Sequence, residues 1–166
     1  VCLELGISKK LFLESISKFT GASRRLSLIK KTNNSSVYFD FAHSPSKVSA
    51  TISAVREINK KRYLITCLEL HTFSSLNDKF IPQYNHSFIE SDEVWIYYSS
   101  DALKRKNIGN INANIIQSCI AHKNLIILDN KVELSNKISS ISLHDTNVLF
   151  MSSGNFSGLD IERIVN

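Results

Sequence analysis

Val37-Tyr38-Phe39-Asp40-Phe41-Ala42-His43-Ser44-Pro45 is the stretch whose reading decides the fold, because an apolar, β-rich run ends in polar residues and a proline. Val37 to Phe41 read as a strand. Ser44 can cap a helix and Pro45 tolerates its first position. Val48, Ile52, Val55 and Ile58 then keep the helical period on one face, so the unit is strand, loop and helix packed on a sheet.

On the N-terminal side, Leu26 to Lys31 is a second β-like run, joined to Val37 by the turn-rich Thr32-Asn33-Asn34-Ser35-Ser36. That string favours an antiparallel hairpin. Residues 8 to 19 carry Leu11, Ile16 and Phe19 on one helical face with Ser8 as N-cap, and Gly21 stands where a left-handed C-terminal residue belongs.

On the C-terminal side, Tyr63 to Leu68, Val94 to Tyr98, Leu125 to Leu128 and Val148 to Ser152 are short apolar runs separated by segments of helical length. Apolar residues on both faces of a run indicate buried parallel strands. The expected fold is α/β: a Rossmann-like, doubly wound, mostly parallel sheet of about six strands. One strand is antiparallel and helices cover both faces. Residues 78 to 91 are expected to be helical, with Pro82 in the first turn or bending it.

The 166 residues, 43% of them hydrophobic, suit one domain, with no repeat or low-complexity linker. Residues 1 to 20 are expected to form a helix at a junction with another domain. The chain starts at Val1 without a methionine or signal peptide, and reads as a piece of something larger. No apolar run approaches the roughly 18 residues that span a bilayer. The net charge of +5 suits phosphate-bearing ligands, although Lys60-Lys61-Arg62 and Lys104-Arg105-Lys106 read as solvated surface and nucleic acid is not expected. Cys2, Cys67 and Cys119 lack metal or disulfide spacing, which fits a reducing cytoplasm. No G-x-x-x-x-G-K-[ST], G-x-S-x-G, C-x-x-C or H-E-x-x-H motif occurs, so no catalytic residue and no metal ligand is assigned to this chain.

Ligands of such sheets bind outside the carboxyl ends of the strands. That rule selects Asp40 to Pro45, Glu69 to Ser75, Ser99 to Ala102, Asp129-Asn130 and Ser152 to Gly158. Arg24 and Arg25 suit bidentate contacts with phosphate oxygens, or are surface arginines beside a hairpin. Asp40, in an apolar strand, needs a partner, whether a ligand hydroxyl or a loop that it braces. His43 stands just before a helix cap, where it meets an anion or serves the structure. Ser153-Gly154-Asn155 reads as a ligand contact or as a plain turn, with small residues permitting close approach. His86, His122 and His144 have no companion ligands and read as structural or solvent-facing.

Phe19-Thr20-Gly21-Ala22-Ser23-Arg24-Arg25, then Asp40-Phe41-Ala42-His43-Ser44-Pro45, then Leu68-Glu69-Leu70-His71-Thr72, and finally Ser153-Gly154-Asn155 stand in the order found in the C-terminal domain of the Mur ligases, which the chain resembles over nearly its whole length. The nearest resemblance is to members that attach the tripeptide L-alanyl-γ-D-glutamyl-meso-diaminopimelate to UDP-N-acetylmuramate; those that attach L-alanine are the alternative. A binding module without ligase activity is the alternative of another class. Phe41 replaces the tyrosine of many relatives, which leaves any contact through that hydroxyl without a donor.

The resemblance implies a three-domain, ATP- and Mg²⁺-dependent cytoplasmic bacterial enzyme acting through an acyl phosphate. The phosphate and metal would be held mainly by a central domain outside this chain. It implies ATP contacts by Arg24, Arg25 and Asp40, and contacts to the amine-bearing substrate by His43, Ser44, His71, Thr72, Ser74 and Asn155. The domain is expected to be monomeric.

Overall fold

The computed structural model describes residues 1–18, 25–106 and 111–165. Its six strands are β1 (Ser27–Lys31), β2 (Ser36–Asp40), β3 (Tyr63–Glu69), β4 (Glu93–Tyr97), β5 (Leu125–Leu128) and β6 (Thr146–Met151). They form one sheet in the order β1-β2-β6-β3-β4-β5. Among the described residues, only β1 with β2 is an antiparallel pair. Helices α1 (Lys9–Ser17), α2 (Pro45–Ile58), α3 (Ser100–Lys106), α4 (Ala113–Cys119), α5 (Lys131–Ser139) and α6 (Ile161–Ile164) complete the described architecture.

The alternation of β6 shows how the sheet is buried on both sides. Leu149 and Met151 join a core with Val48, Ile52 and Val55 of α2, whereas Val148 and Phe150 join one with Leu134 and Ile138 of α5. All six β6 residues are buried, as a central parallel strand requires. The doubly wound sheet read from the sequence is therefore the observed one.

Four local expectations change. Residues 78 to 91 form no α-helix: a short 3-10 turn covers Ile81–Tyr84, with Pro82 in its first turn. The backbone advances through three-residue hydrogen bonds such as Gln83 to Phe80, Asn85 to Pro82 and Ser87 to Tyr84. Proline removes one helical donor, and this tighter winding puts Ile81, Tyr84 and Phe88 into the core instead.

At the N-terminus, helix covers only Lys9–Ser17 and ends on Lys18, while residues 1–7 form turns. Ser8 does cap it, accepting from the Leu11 N–H at 3.2 Å. The expected C-capping Gly21, with Phe19, lies outside the described residues. No α1 residue is buried, and Leu11, Phe12, Leu13 and Ile16 are all exposed. In α2, Ile58 is 56% exposed because the helix ends on it, so the packing face stops at Val55. Ser44 occupies the N-cap position in extended backbone, yet its side chain makes no cap hydrogen bond.

Candidate functional site

Asp40 terminates β2 with its side chain 8% exposed, and the backbone around it supplies the partners that a buried carboxylate needs. One oxygen, Oδ2, accepts from the Leu26 N–H at 2.6 Å. The other accepts from the Ala42 N–H at 2.7 Å and the Thr51 hydroxyl at 3.4 Å. Leu26 has φ 43°, a left-handed conformation that costs a branched side chain about 1–2 kcal/mol. Asp40 thus holds a strained residue directly after Arg25.

Arg25 is exposed, and its guanidinium lies 5.3 Å from the Phe41 ring centroid. The ring meets that of His43 edge-on at 5.3 Å, so arginine, phenyl and imidazole stack outward from the strand end. The His43 Nδ1 lies 2.8 Å from the Phe41 carbonyl oxygen. A carbonyl only accepts, so the proton sits on Nδ1 and Nε2 is left for other chemistry. Tyr84 donates its hydroxyl to the His43 carbonyl, fixing the loop from the helical side. Burial raises this Tyr84 hydroxyl to a pKa of about 12, keeping it a donor.

The next strands add a second cluster. Glu69 ends β3 and is only 4% exposed. Its Oε2 accepts from the Ser152 hydroxyl and, at 2.9 Å, from the Phe156 N–H. The Ser152 N–H donates to the Asp40 carbonyl at 3.0 Å, so this serine joins the two clusters. His71 places Nδ1 3.8 Å from Glu69 Oε1. Tyr97 at the end of β4 places its hydroxyl 2.6 Å from that of Ser157. Burial raises its pKa, with the Glu69 charge adding to the rise and the Ser157 hydrogen bond opposing it.

The turn after β6 is unusual in its backbone. Phe156, Ser157 and Gly158 all have positive φ, at 49°, 56° and 73°, of which only the glycine adopts it without cost. A Cβ at Gly154 would lie 2.8 Å from Glu69 Oε2 and from two His71 ring atoms, so only glycine fits there without displacement. The Ser153 hydroxyl is buried with no hydrogen-bond partner among the described residues, an uncommon cost. Asn155 is exposed at the crest of this turn, its Oδ1 accepting from the Gly158 N–H.

Asn155 separates two hollows. A cavity of about 120 Å³ is lined by Glu69, His71, Ser99 and Ser157 with apolar Leu70 and Leu76. A more open groove of about 360 Å³ runs past Ser27, Phe39, Phe156, Asp160 and Glu162.

Of the residues expected at the site, Arg25, Asp40, His43, Ser44, His71, Thr72, Ser74 and Asn155 gather along the strand ends. Arg24 lies outside the described residues. Thr72 and Ser74 are at the edge, but their hydroxyls pair with each other at 3.0 Å, and Ser75 closes the turn with Thr72. These bonds brace the loop that carries them. Two histidines read as structural do sit elsewhere: His122 bonds the Ser91 carbonyl before β5, and His144 lies beside Asp145 before β6. Glu69 and Ser152 fall within the strand ends selected from the sequence but were given no contact of their own, and Tyr97 was not singled out. An acidic residue closing the apolar Cys67-Leu68-Glu69 run was the available signal, by the same desolvation argument that singled out Asp40. Among the described residues, no group of three or more His, Cys, Asp or Glu is placed to hold a metal ion, and no helix is long and apolar enough to cross a membrane.

Fold and edge together define a Rossmann-like α/β domain that presents an arginine, buried carboxylates and histidines at the carboxyl ends of its strands. No protein-family model matches the chain. The UDP-N-acetylmuramate–L-alanine ligase of Fusobacterium nucleatum is 25% identical over 96% of this chain and 35% of its own length. Among solved structures, the UDP-N-acetylmuramate–alanine ligase of Thermotoga maritima superposes with a TM-score of 0.72 at 20% identity, over 99% of this chain and 34% of that one. A domain from a putative UDP-N-acetylmuramate:L-alanyl-γ-D-glutamyl-meso-diaminopimelate ligase of Haemophilus ducreyi gives 0.61 at 26% identity, over 85% of this chain and 96% of that one. The chain is thus similar to Mur ligases over nearly its whole length and has the fold of their C-terminal domain. It spans about a third of the length of the curated relative named here.

Proposed function

We propose that this chain is the C-terminal domain of an ATP-dependent cytoplasmic ligase that joins L-alanyl-γ-D-glutamyl-meso-diaminopimelate to the lactyl carboxylate of UDP-N-acetylmuramate. The observation that carries the tripeptide reading is the likeness to the Haemophilus ducreyi domain, which this chain matches over 96% of that domain's length at 26% identity. In this reading ATP phosphorylates the carboxylate, the tripeptide amine attacks the acyl phosphate, and phosphate leaves. Mg²⁺ held outside this chain supplies charge neutralisation at the transferring phosphoryl group.

The domain's own contribution is positioning and exclusion of water as it closes on the rest of the enzyme. Arg24 and Arg25 meet the nucleotide, the latter held ready by its stack on Phe41. A carboxylate has about four acceptor sites, so Asp40 keeps one for a ribose hydroxyl beyond its three bonds to the hairpin and α2. His43 offers Nε2, and with Ser44, His71, Asn155 and the loop of Thr72 and Ser74 it orients the acceptor. The uncovered apolar face of α1 is the surface we assign to the junction with the preceding domain.

L-alanine is the second reading, favoured by the names of the Fusobacterium and Thermotoga relatives and by a cavity of about 120 Å³, which suits a small amino acid. Phosphate release by the full-length protein with ATP, Mg²⁺ and UDP-N-acetylmuramate, offered each acceptor in turn, tests the proposal. Turnover with the tripeptide alone supports it, turnover with L-alanine alone selects the second reading, and silence with both removes the ligase assignment.

A further inference from the structure

Glu69 is a buried carboxylate that no step above uses, and its surroundings define what it does. Oε2 receives two hydrogen bonds from one short segment, the Ser152 hydroxyl and the Phe156 N–H. The Gly154 N–H in turn donates to the Ser152 hydroxyl at 2.7 Å, so a chain of bonds runs from the segment's backbone through Ser152 to Glu69. The residues that follow, Phe156 and Ser157, stand in left-handed backbone that non-glycine residues seldom adopt. A strained turn of this kind persists only where its surroundings over-determine it. Tyr97 adds a further restraint through Ser157.

The restrained turn carries Asn155 and Ser157 to the small cavity, and Glu69 forms part of the same wall as His71. The geometry points to Glu69 as the positioning residue of the acceptor site. Through Ser152 and the Phe156 N–H it sets the turn that presents Asn155 and Ser157 to the acceptor, without itself contacting the reacting atoms. This rests on the ligase reading for what the acceptor is, but not for the clamp.

Two measurements on the full-length protein separate those parts. The first is amide hydrogen exchange over residues 152–158 in wild type, Glu69→Ala, Glu69→Gln and Ser152→Ala. Loss of both bonds in Glu69→Ala should speed exchange in this segment about tenfold, with β1 and β2 unchanged. Glu69→Gln keeps an acceptor oxygen and should restore most of the protection. Ser152→Ala removes one of the two bonds and serves if Glu69→Ala does not fold; it should fall between.

The second measurement is steady-state kinetics with whichever acceptor turns over. Glu69→Ala or Ser152→Ala should raise the acceptor KM, about tenfold and severalfold respectively, while the ATP KM stays within about twofold. Rescue by Glu69→Gln is expected here too. Unchanged exchange in both Ser152→Ala and Glu69→Ala overturns the clamp. Equal rises in both KM values reduce Glu69 to general stability, and a Glu69→Gln variant as impaired as Glu69→Ala means that the charge contacts the acceptor directly; either result overturns the positioning role. A wild type inert to both acceptors removes the ligase reading and the acceptor assignment with it, while exchange still decides the clamp.

Discussion

Replacing Asp40 with alanine should unfold the hairpin edge before it affects any substrate. The side chain's two oxygens satisfy the N–H groups of Leu26 and Ala42 at 2.6 and 2.7 Å in a position only 8% exposed. Each buried donor left without a partner costs about 1–3 kcal/mol, so the two together cost about 2–5 kcal/mol after partial relaxation. For a domain of this size each kcal/mol lowers Tm by about 2–4 °C, which places the expected drop at about 4–20 °C. Asp40→Asn is the informative companion. An amide offers one acceptor oxygen and turns an NH₂ towards the other backbone donor, so it should recover part of the loss and still fall at least about 1 kcal/mol short of wild type. Thermal and urea denaturation of the 166-residue chain measure both, and the ATP KM of the full-length protein follows the ligand side. A Tm lowered by less than about 2 °C in Asp40→Ala, whatever the effect on ATP, would refute the bracing role.

Three further outcomes are expected. Gly154→Ala places a Cβ 2.8 Å from Glu69 Oε2 and the His71 ring; His71 is half-exposed and can swing, but Glu69 cannot, so a loss of about 1–3 kcal/mol is expected in urea denaturation and a neutral variant contradicts the packing. The Tyr84 pKa is raised by burial from 10.0 to about 12, so its contribution is fully present below pH 10 and is lost as pH climbs towards 12. Stability should therefore fall across that window, and Tyr84→Phe should flatten the fall; an identical slope in the variant contradicts the assignment. His71→Ala should raise the acceptor KM of the full-length protein more than the ATP KM, and equal effects on both would remove His71 from the acceptor side.

The strands and their mostly parallel pairing were legible because parallel strands buried on both faces leave unbroken apolar runs, as in Val148 to Met151, whereas their order in the sheet was not. The hairpin was legible because Thr32 to Ser36 is a run of turn-forming polar residues with no large apolar side chain. The 78–91 segment misled because Ile81, Tyr84 and Phe88 fit a helical period as well as a chain of tight turns, and one proline decided between them. At the site, the same desolvation logic that marked Asp40 applied to Glu69, but Glu69's significance lies in partners from beyond position 150, a pairing made only by the β3–β6 neighbourhood. The mutual pairing of Thr72, Ser74 and Ser75 was equally invisible, since a run of hydroxyls reads alike whether it faces a ligand or itself.

The most direct test of the central claim is the mass of the sugar-nucleotide product after the full-length protein is incubated with ATP, Mg²⁺, UDP-N-acetylmuramate and the tripeptide. The account predicts UDP-N-acetylmuramate heavier by one tripeptide less one water, formed only when ATP is present. Recovery of unaltered UDP-N-acetylmuramate from that incubation would contradict it.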